Sequence, residues 1–275
     1  MPDHEPSICD LESLDSVERT LLVPLIARAL GHRWHLQGAL VDTSAEHVLT
    51  QLGWHDPHWM PDPMTLGLVL WRTRQFHQWG QDHFVQHPKA MGVNLGAGLS
   101  DYFQWLSTGT NRWLDADLAC VMRVRERCVP KHPGAVVAAL DLCADNWWEA
   151  MDNLVRSCHQ PLWILLEGVL IYLTPAQVRH LLQTVGDHAP AGSCVSFDVI
   201  PQWMTGWPIR GPWPAQQPAR FQWGITSIDE LKHMHERLHL ACVVSWPGTT
   251  AEGGGLGAHA WNPWSPYALI QMSVL

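Results

Sequence analysis

The sequence alternates between two periods of hydrophobic placement. Short apolar runs at 93–95, 113–116, 135–140, 162–166 and 192–200 are bounded by turn residues or acids, a length and setting that predict buried strands. Longer segments space their apolar residues by three and four, which predicts helices. In 15–30, Val17, Leu21, Leu22, Leu25, Ile26 and Ala29 fall near one face, Asp15 and Glu18 resemble a capping pair, Gly31 supplies the stop and Pro24 predicts a kink. Further helices are expected at 45–52, at 64–85, from Pro175 to about residue 184 behind the cap Thr174, and at 227–240. A strand at 242–246 and the apolar stretch 268–275 predict a closing hairpin at a sheet edge.

Polar chemistry collects at the carboxyl ends of the predicted strands. Gly96-Ala97-Gly98 follows the first, where glycines let the backbone turn sharply, either in a plain turn or in the seat of a nucleotide-like cofactor. Asp117 comes 19 positions after Gly98, about where a carboxylate grips a ribose diol in such seats. Asp141 ends the third run, and Glu167-Gly168 ends the fourth. Chance would scatter these groups, whereas one sheet edge would gather them. Arg72 and Arg74, on the helix leading into the first strand, form a candidate carboxylate clamp or else two surface charges. Arg28 lies toward the polar side of its helix and on spacing alone reads as a solvated charge.

Charge and composition narrow the partner classes. A net charge of −9, with Lys and Arg totalling 17, argues against nucleic acid, because phosphate binding needs a basic face. The longest apolar stretches, near 21–30 and 162–173, are interrupted by Pro24 and Arg28 or by Glu167, so no membrane span is expected. Seven cysteines without a CxxC pair fit a reducing compartment, and the acidic segment 1–15 lacks the apolar core of a signal peptide; a cytoplasmic protein is expected. Tryptophan is abundant, 17 against 5 Phe and 3 Tyr. Four of the tryptophans (Trp203, Trp207, Trp213, Trp223) lie in the proline-rich stretch 201–223, expected as a lid over the sheet edge, with a packed surface loop as the alternative.

His235-Glu236-Arg237-Leu238-His239 is a literal HExxH, which on a helix puts two imidazoles on one face beside a carboxylate, as zinc peptidases need. Against it, histidine is common here, at 17 of 275, and the third ligand would have to be Glu252 or His259 within a glycine-rich stretch. A metal is therefore not expected, and a zinc metallohydrolase stands as an alternative.

Together, Val17-Glu18-Arg19-Thr20-Leu21-Leu22-Val23-Pro24-Leu25-Ile26-Ala27-Arg28-Ala29, Trp71-Arg72-Thr73-Arg74, Val93-Asn94-Leu95-Gly96-Ala97-Gly98-Leu99, Leu114-Asp115-Ala116-Asp117-Leu118 and Glu167-Gly168-Val169-Leu170-Ile171-Tyr172-Leu173 resemble the leucine carboxyl methyltransferase family, nearest its polyketide-synthesis O-methyltransferases. The resemblance implies an α/β fold, a doubly wound and mostly parallel Rossmann-like sheet with extra N-terminal helices and an aromatic lid insertion. It divides a single domain into a helical cap (1–90), a cofactor-binding core (91–200), a lid (201–226) and a last helix with closing strands (227–275).

The resemblance further implies S-adenosyl-L-methionine as cofactor. By it, Arg72 and Arg28 would pair with the methionine carboxylate, Gly96 and Gly98 would line the methionine and ribose, and Asp117 would hold the ribose hydroxyls. Asp141 with Leu142 would flank the adenine, and Glu167 would face the amino group. Tyr172, Trp203, Trp207 and Trp223 are the acceptor-side candidates, for a flat or apolar molecule. Two departures stand out: Ser100-Asp101-Tyr102 where the family has Asp-Thr-Arg, and His77 where it tends to have Asp. Methyl transfer from a sulfonium needs alignment more than a base; a carboxylate acceptor needs none, and a phenol would turn to His77 or a histidine of 227–240. The expected acceptor is the carboxylate or hydroxyl of a small molecule in secondary metabolism. A thiol, a peptide carboxylate and a non-catalytic cofactor-fold subunit are the other readings.

Overall fold

The fold is described from a computed structural model, for residues 15–31, 40–54, 61–155, 159–209, 211, 218–246 and 264–275. Every residue of strand β1 (Met91–Leu95) is buried. Gly92 is the point of closest packing, since a Cβ there would lie 2.0 Å from the Trp113 ring. β1 pairs in parallel with β2 (Arg112–Asp117) on one side and β4 (Leu162–Leu166) on the other. β3 (Ala135–Ala139) and β5 (Cys194–Val199) extend the parallel sheet outward from these two. Beyond β5 the direction changes: β7 (Ala268–Val274) runs antiparallel to β5, and β6 (Leu238–Ser245) runs antiparallel to β7. The order is β3-β2-β1-β4-β5-β7-β6, so the expected closing hairpin forms with its second strand on the inside. Strand order reverses between β1 and β4, which opens a crevice at their carboxyl ends.

Helices cover both faces. Among the described residues three α-helices precede the sheet: α1 (Leu22–Gly31), α2 (Thr43–Gln51) and α3 (Pro63–Gln86). Asp62 caps α3 by accepting the amides of Met64 and Thr65, and Pro63 fills its first position, where no amide is required. The short α4 (Phe103–Leu106) follows the glycine loop, and α5 (Ala119–Cys128) and α6 (Trp147–Val155) lie in the crossings. The helix expected behind Thr174 is α7 (Pro175–His188), held by a complete capping box with Gln177. On one face of the sheet, Trp147, Met151, Val178, Leu181, Leu182 and Val185 pack on β1, β4 and β5. Elsewhere Phe76, Trp79, Phe84, Trp113 and Trp163 form an aromatic cluster under α3.

Two expectations are corrected. The first helix is split: a 3-10 turn (Glu18–Leu21) leads into α1, with the Asp15 and Glu18 side chains capping each other's amides. Pro24 therefore falls in the first turn of α1, where its missing N–H leaves no acceptor stranded, and a kink has no cause there. The helix expected at 227–240 shrinks to α8 (Asp229–Lys232), and Leu238 already belongs to β6. The run from Leu238 to Ser245 pairs with β7 along its length, with one register shift between Leu240 and Cys242, and strand pairing there overrides the helical spacing.

Candidate cofactor and active site

At the carboxyl ends of β1 and β2 the chain builds a tight loop. Gly96 (φ +69°) and Gly98 (φ +50°) adopt the left-handed backbone that side chains disfavour, and a Cβ on Gly96 would meet Val169 Cγ2 at 2.4 Å. The amides of Gly96 and Ala97 both donate to the Ala116 carbonyl. Asp117 accepts the Gly98 amide on one oxygen and its neighbour Leu118's on the other, each at 2.7 Å. Burial raises the pKa of Asp117, opposed by those two amides and by Arg125. From beneath, Arg125 donates to the carbonyls of Gly98 and Ser100 and pairs with Asp115 at 2.7 Å. Asp115 also accepts from Asn94 and from the Trp113 indole. This buried bracket fixes the loop, and neither Arg125 nor Asp115 carries a sequence signature that separates it from an ordinary charge.

Facing the loop stands Arg72 on α3, whose Nε donates to Glu167 Oε1 at 2.8 Å and whose Nη1 donates to the Tyr267 hydroxyl at 2.7 Å. Glu167 follows β4, and Tyr267 stands just before β7. Asp198, near the end of β5, accepts the Gly168 amide at 2.5 Å. Burial works against the charge of Arg72, yet Tyr267, Glu167 and Asp198 together hold its pKa well above the ordinary arginine value. Burial, too, raises Asp198, with Arg72 opposing. All three tyrosines of the chain adjoin this cluster: burial raises Tyr102 and Tyr267 well above the ordinary phenol, and Tyr172 is pushed up to about 12. Glu167 Oε2, Asp198 Oδ2 and the Tyr102 hydroxyl are buried without a formed hydrogen bond. Spare buried acceptors beside one arginine suit a ligand that carries both a carboxylate and an ammonium.

The other candidates divide. Arg28 is buried rather than solvated; it pairs with Asp42 at 3.0 Å and reaches the Leu99 carbonyl, so it braces the glycine loop. Arg74 is exposed. Asp141 is exposed and accepts the Cys143 amide, with Leu142 half-buried beside it at the end of β3. Of the departures, Asp101 is buried against His132 at 2.9 Å, and Tyr102 fills the space next to Glu167. His77 packs edge-on to Trp105 at 5.9 Å, and burial lowers its pKa.

On the acceptor side, Trp203 and Trp207 are exposed and meet edge to face at 5.3 Å. Trp203 lines a cleft of about 420 Å³ just past β5, together with Pro201, Gln202, Ile225, Thr226 and Trp264. Tyr172 stacks on Phe221 at 6.3 Å. Trp223 differs from the expectation for the loop: it is buried in the core, where Ile225 and Leu231 also pack, and its backbone amide donates to the Ile171 carbonyl. Trp213 lies outside the described residues.

The HExxH histidines sit at the opposite edge. His239 pairs through Ser273 with Cys194, the first residue of β5, and His235 bonds Asp187 at 3.0 Å near the end of α7. Among the described residues no group of three potential ligands could hold a metal, and Glu252 and His259 lie outside them. No helix of the described residues is long and apolar enough to cross a membrane.

A parallel sheet with an antiparallel β7, a glycine loop after β1 and an acid ending β2 make up the fold of the class I S-adenosylmethionine-dependent methyltransferases. Solved structures of that fold agree. One from Thermobifida fusca, assigned to the methyltransferases, matches with a TM-score of 0.56 at 16% identity over 92% of this chain and 94% of its own. A DUF574 family protein from Streptomyces avermitilis matches with a TM-score of 0.54 at 10% identity, over 91% and 97%. The sequence fits the leucine carboxyl methyltransferase family model over residues 22–186, and the chain belongs to that family. It is 28% identical over 213 residues, 77% of this chain and 76% of the relative, to the tetracenomycin polyketide synthesis O-methyltransferase TcmP of Streptomyces glaucescens. The chain is thus a methyltransferase that uses S-adenosyl-L-methionine.

Proposed function

We propose that the chain O-methylates a carboxylate or hydroxyl of a small, flat molecule in secondary metabolism, in the cytoplasm. The reading is carried by the apolar cleft past β5, flanked by Trp203 and Trp264, at the same sheet edge as the Arg72–Glu167 pair. Its kinship with an O-methyltransferase of polyketide synthesis supports oxygen as the target.

The buried acceptors fit the cofactor's amino-acid end. Arg72 would take the carboxylate and Glu167 the ammonium, while Gly96 and Gly98 would leave the backbone free to line the methionine and ribose. Asp117 would accept the ribose hydroxyls, Asp141 and Leu142 would flank the adenine, and Arg28 would hold the loop through Leu99 and Asp42. When bound, S-adenosylmethionine supplies a methyl group on a sulfonium, already activated for in-line displacement. The protein's part is to align the acceptor and exclude water. Tyr172, Trp203 and Trp207 would orient the acceptor's flat body, with Trp223 anchored in the core beside them.

Incubation with methyl-labelled cofactor and a panel of aromatic carboxylic acids, phenols, thiols and peptides tests this reading. Label on an acid- or phenol-derived oxygen is expected, and transfer confined to thiols or peptides would refute it.

A further inference from the structure

We propose that Tyr267 is a positioning residue for cofactor binding, holding the Arg72 guanidinium in the orientation that receives the cofactor's carboxylate. The inference rests on the reading of Arg72 given under the proposed function, and it reaches beyond residues 22–186, where the family match lies.

Arg72 sits mid-helix on α3 with a long, flexible side chain, and a guanidinium that must meet a carboxylate loses affinity if free to rotate. Two fixed acceptors remove that freedom. Glu167 takes Nε, and the Tyr267 hydroxyl takes Nη1, so the guanidinium is held from both sides. Among the described residues no hydrogen bond from Nη2 is formed, which leaves the tip of the fork, between the two anchors, for a ligand. Tyr267 can do this because it is itself immobile. It is buried, its carbonyl accepts the Trp246 amide at 2.8 Å, and the next residue, Ala268, pairs with Val199 of β5 and Ser245 of β6. A phenol suits the place better than a third carboxylate. It accepts from Arg72 without cancelling the positive charge that the ligand needs, and it lies beside Asp198.

The test compares two ligands by calorimetric titration of the full chain: S-adenosylhomocysteine, which has the amino-acid end, and 5′-methylthioadenosine, which lacks it. In Tyr267→Phe, loss of one hydrogen bond to a charged group should weaken S-adenosylhomocysteine by about tenfold and leave 5′-methylthioadenosine unchanged. Parallel loss of both ligands, or no loss of either, overturns the proposal, because a merely structural tyrosine acts on both alike. Arg72→Ala separates the two levels of the argument. If it too leaves the ratio of the two affinities unchanged, the reading of Arg72 fails and the proposal with it. If Arg72→Ala collapses the ratio while Tyr267→Phe preserves it, only Tyr267's role is lost.

Discussion

Asp117 has two tasks that pull in different directions. Its carboxylate already accepts two backbone amides, which pin the glycine loop, and it is also the group proposed to hold the ribose diol. Asp117→Asn keeps the shape but surrenders the charge and replaces one acceptor oxygen with a donor. S-adenosylhomocysteine binding should weaken at least tenfold, roughly 1.4 kcal/mol, in calorimetry, and undiminished affinity would show that the ribose is held elsewhere. Gly96→Ala is the complementary case: a positive φ and a Cβ 2.4 Å from Val169 predict a loss of about 1–3 kcal/mol in urea unfolding. Both residues were legible in the sequence, because a glycine turn after a strand and an acid 19 positions on are local patterns with a physical meaning. Tyr267 and Asp198 were not legible as partners of this site. The Arg72–Tyr267 contact spans 195 positions, and no local period announces a contact made only when the sheet closes.

At the level of elements, the parallel strands stood out because each is an apolar run with a turn at its end. The segment 227–240 did not, since its apolar residues satisfy a helical spacing as well as β6 satisfies pairing with β7. The same segment carries HExxH, and the strand pulls that motif apart: His239 lies in β6, and His235 packs over Gly186. Dialysis against a strong chelator should therefore leave both methyl transfer and the melting temperature unchanged, and His239→Ala should act like an ordinary exposed substitution, within about 0.5 kcal/mol. Zinc retained through purification, with activity lost on its removal, would contradict this.

Across the molecule, acid stability has an identifiable source remote from the site. His83 on α3 is buried beside Cys194, and burial, with the neighbouring His87, lowers its pKa to about 4. The unfolded chain, with an imidazole near its ordinary value, takes up that proton first as pH falls. The contribution is thus fully present above about pH 6.5 and is lost between there and about 4, amounting to roughly 3 kcal/mol at the bottom. Asp117 and Asp198, raised by burial, carry the opposite sign just above the ordinary aspartate range and offset part of the slope. Urea melts at a series of pH values should show His83→Leu flatter than the unaltered chain over this window; parallel curves would exclude His83 as the cause.

The position of β7 has a further consequence, for the order in which the chain comes off the ribosome. β5 and β6 are both made before β7, yet each needs β7 as its antiparallel neighbour, and they are not paired with one another. During synthesis β6 must wait, its row of amides and carbonyls open to any passing strand, until the segment after it emerges. Tyr267 arrives with that same segment, so the arginine proposed to grip the cofactor acquires its second anchor in the step that closes the sheet.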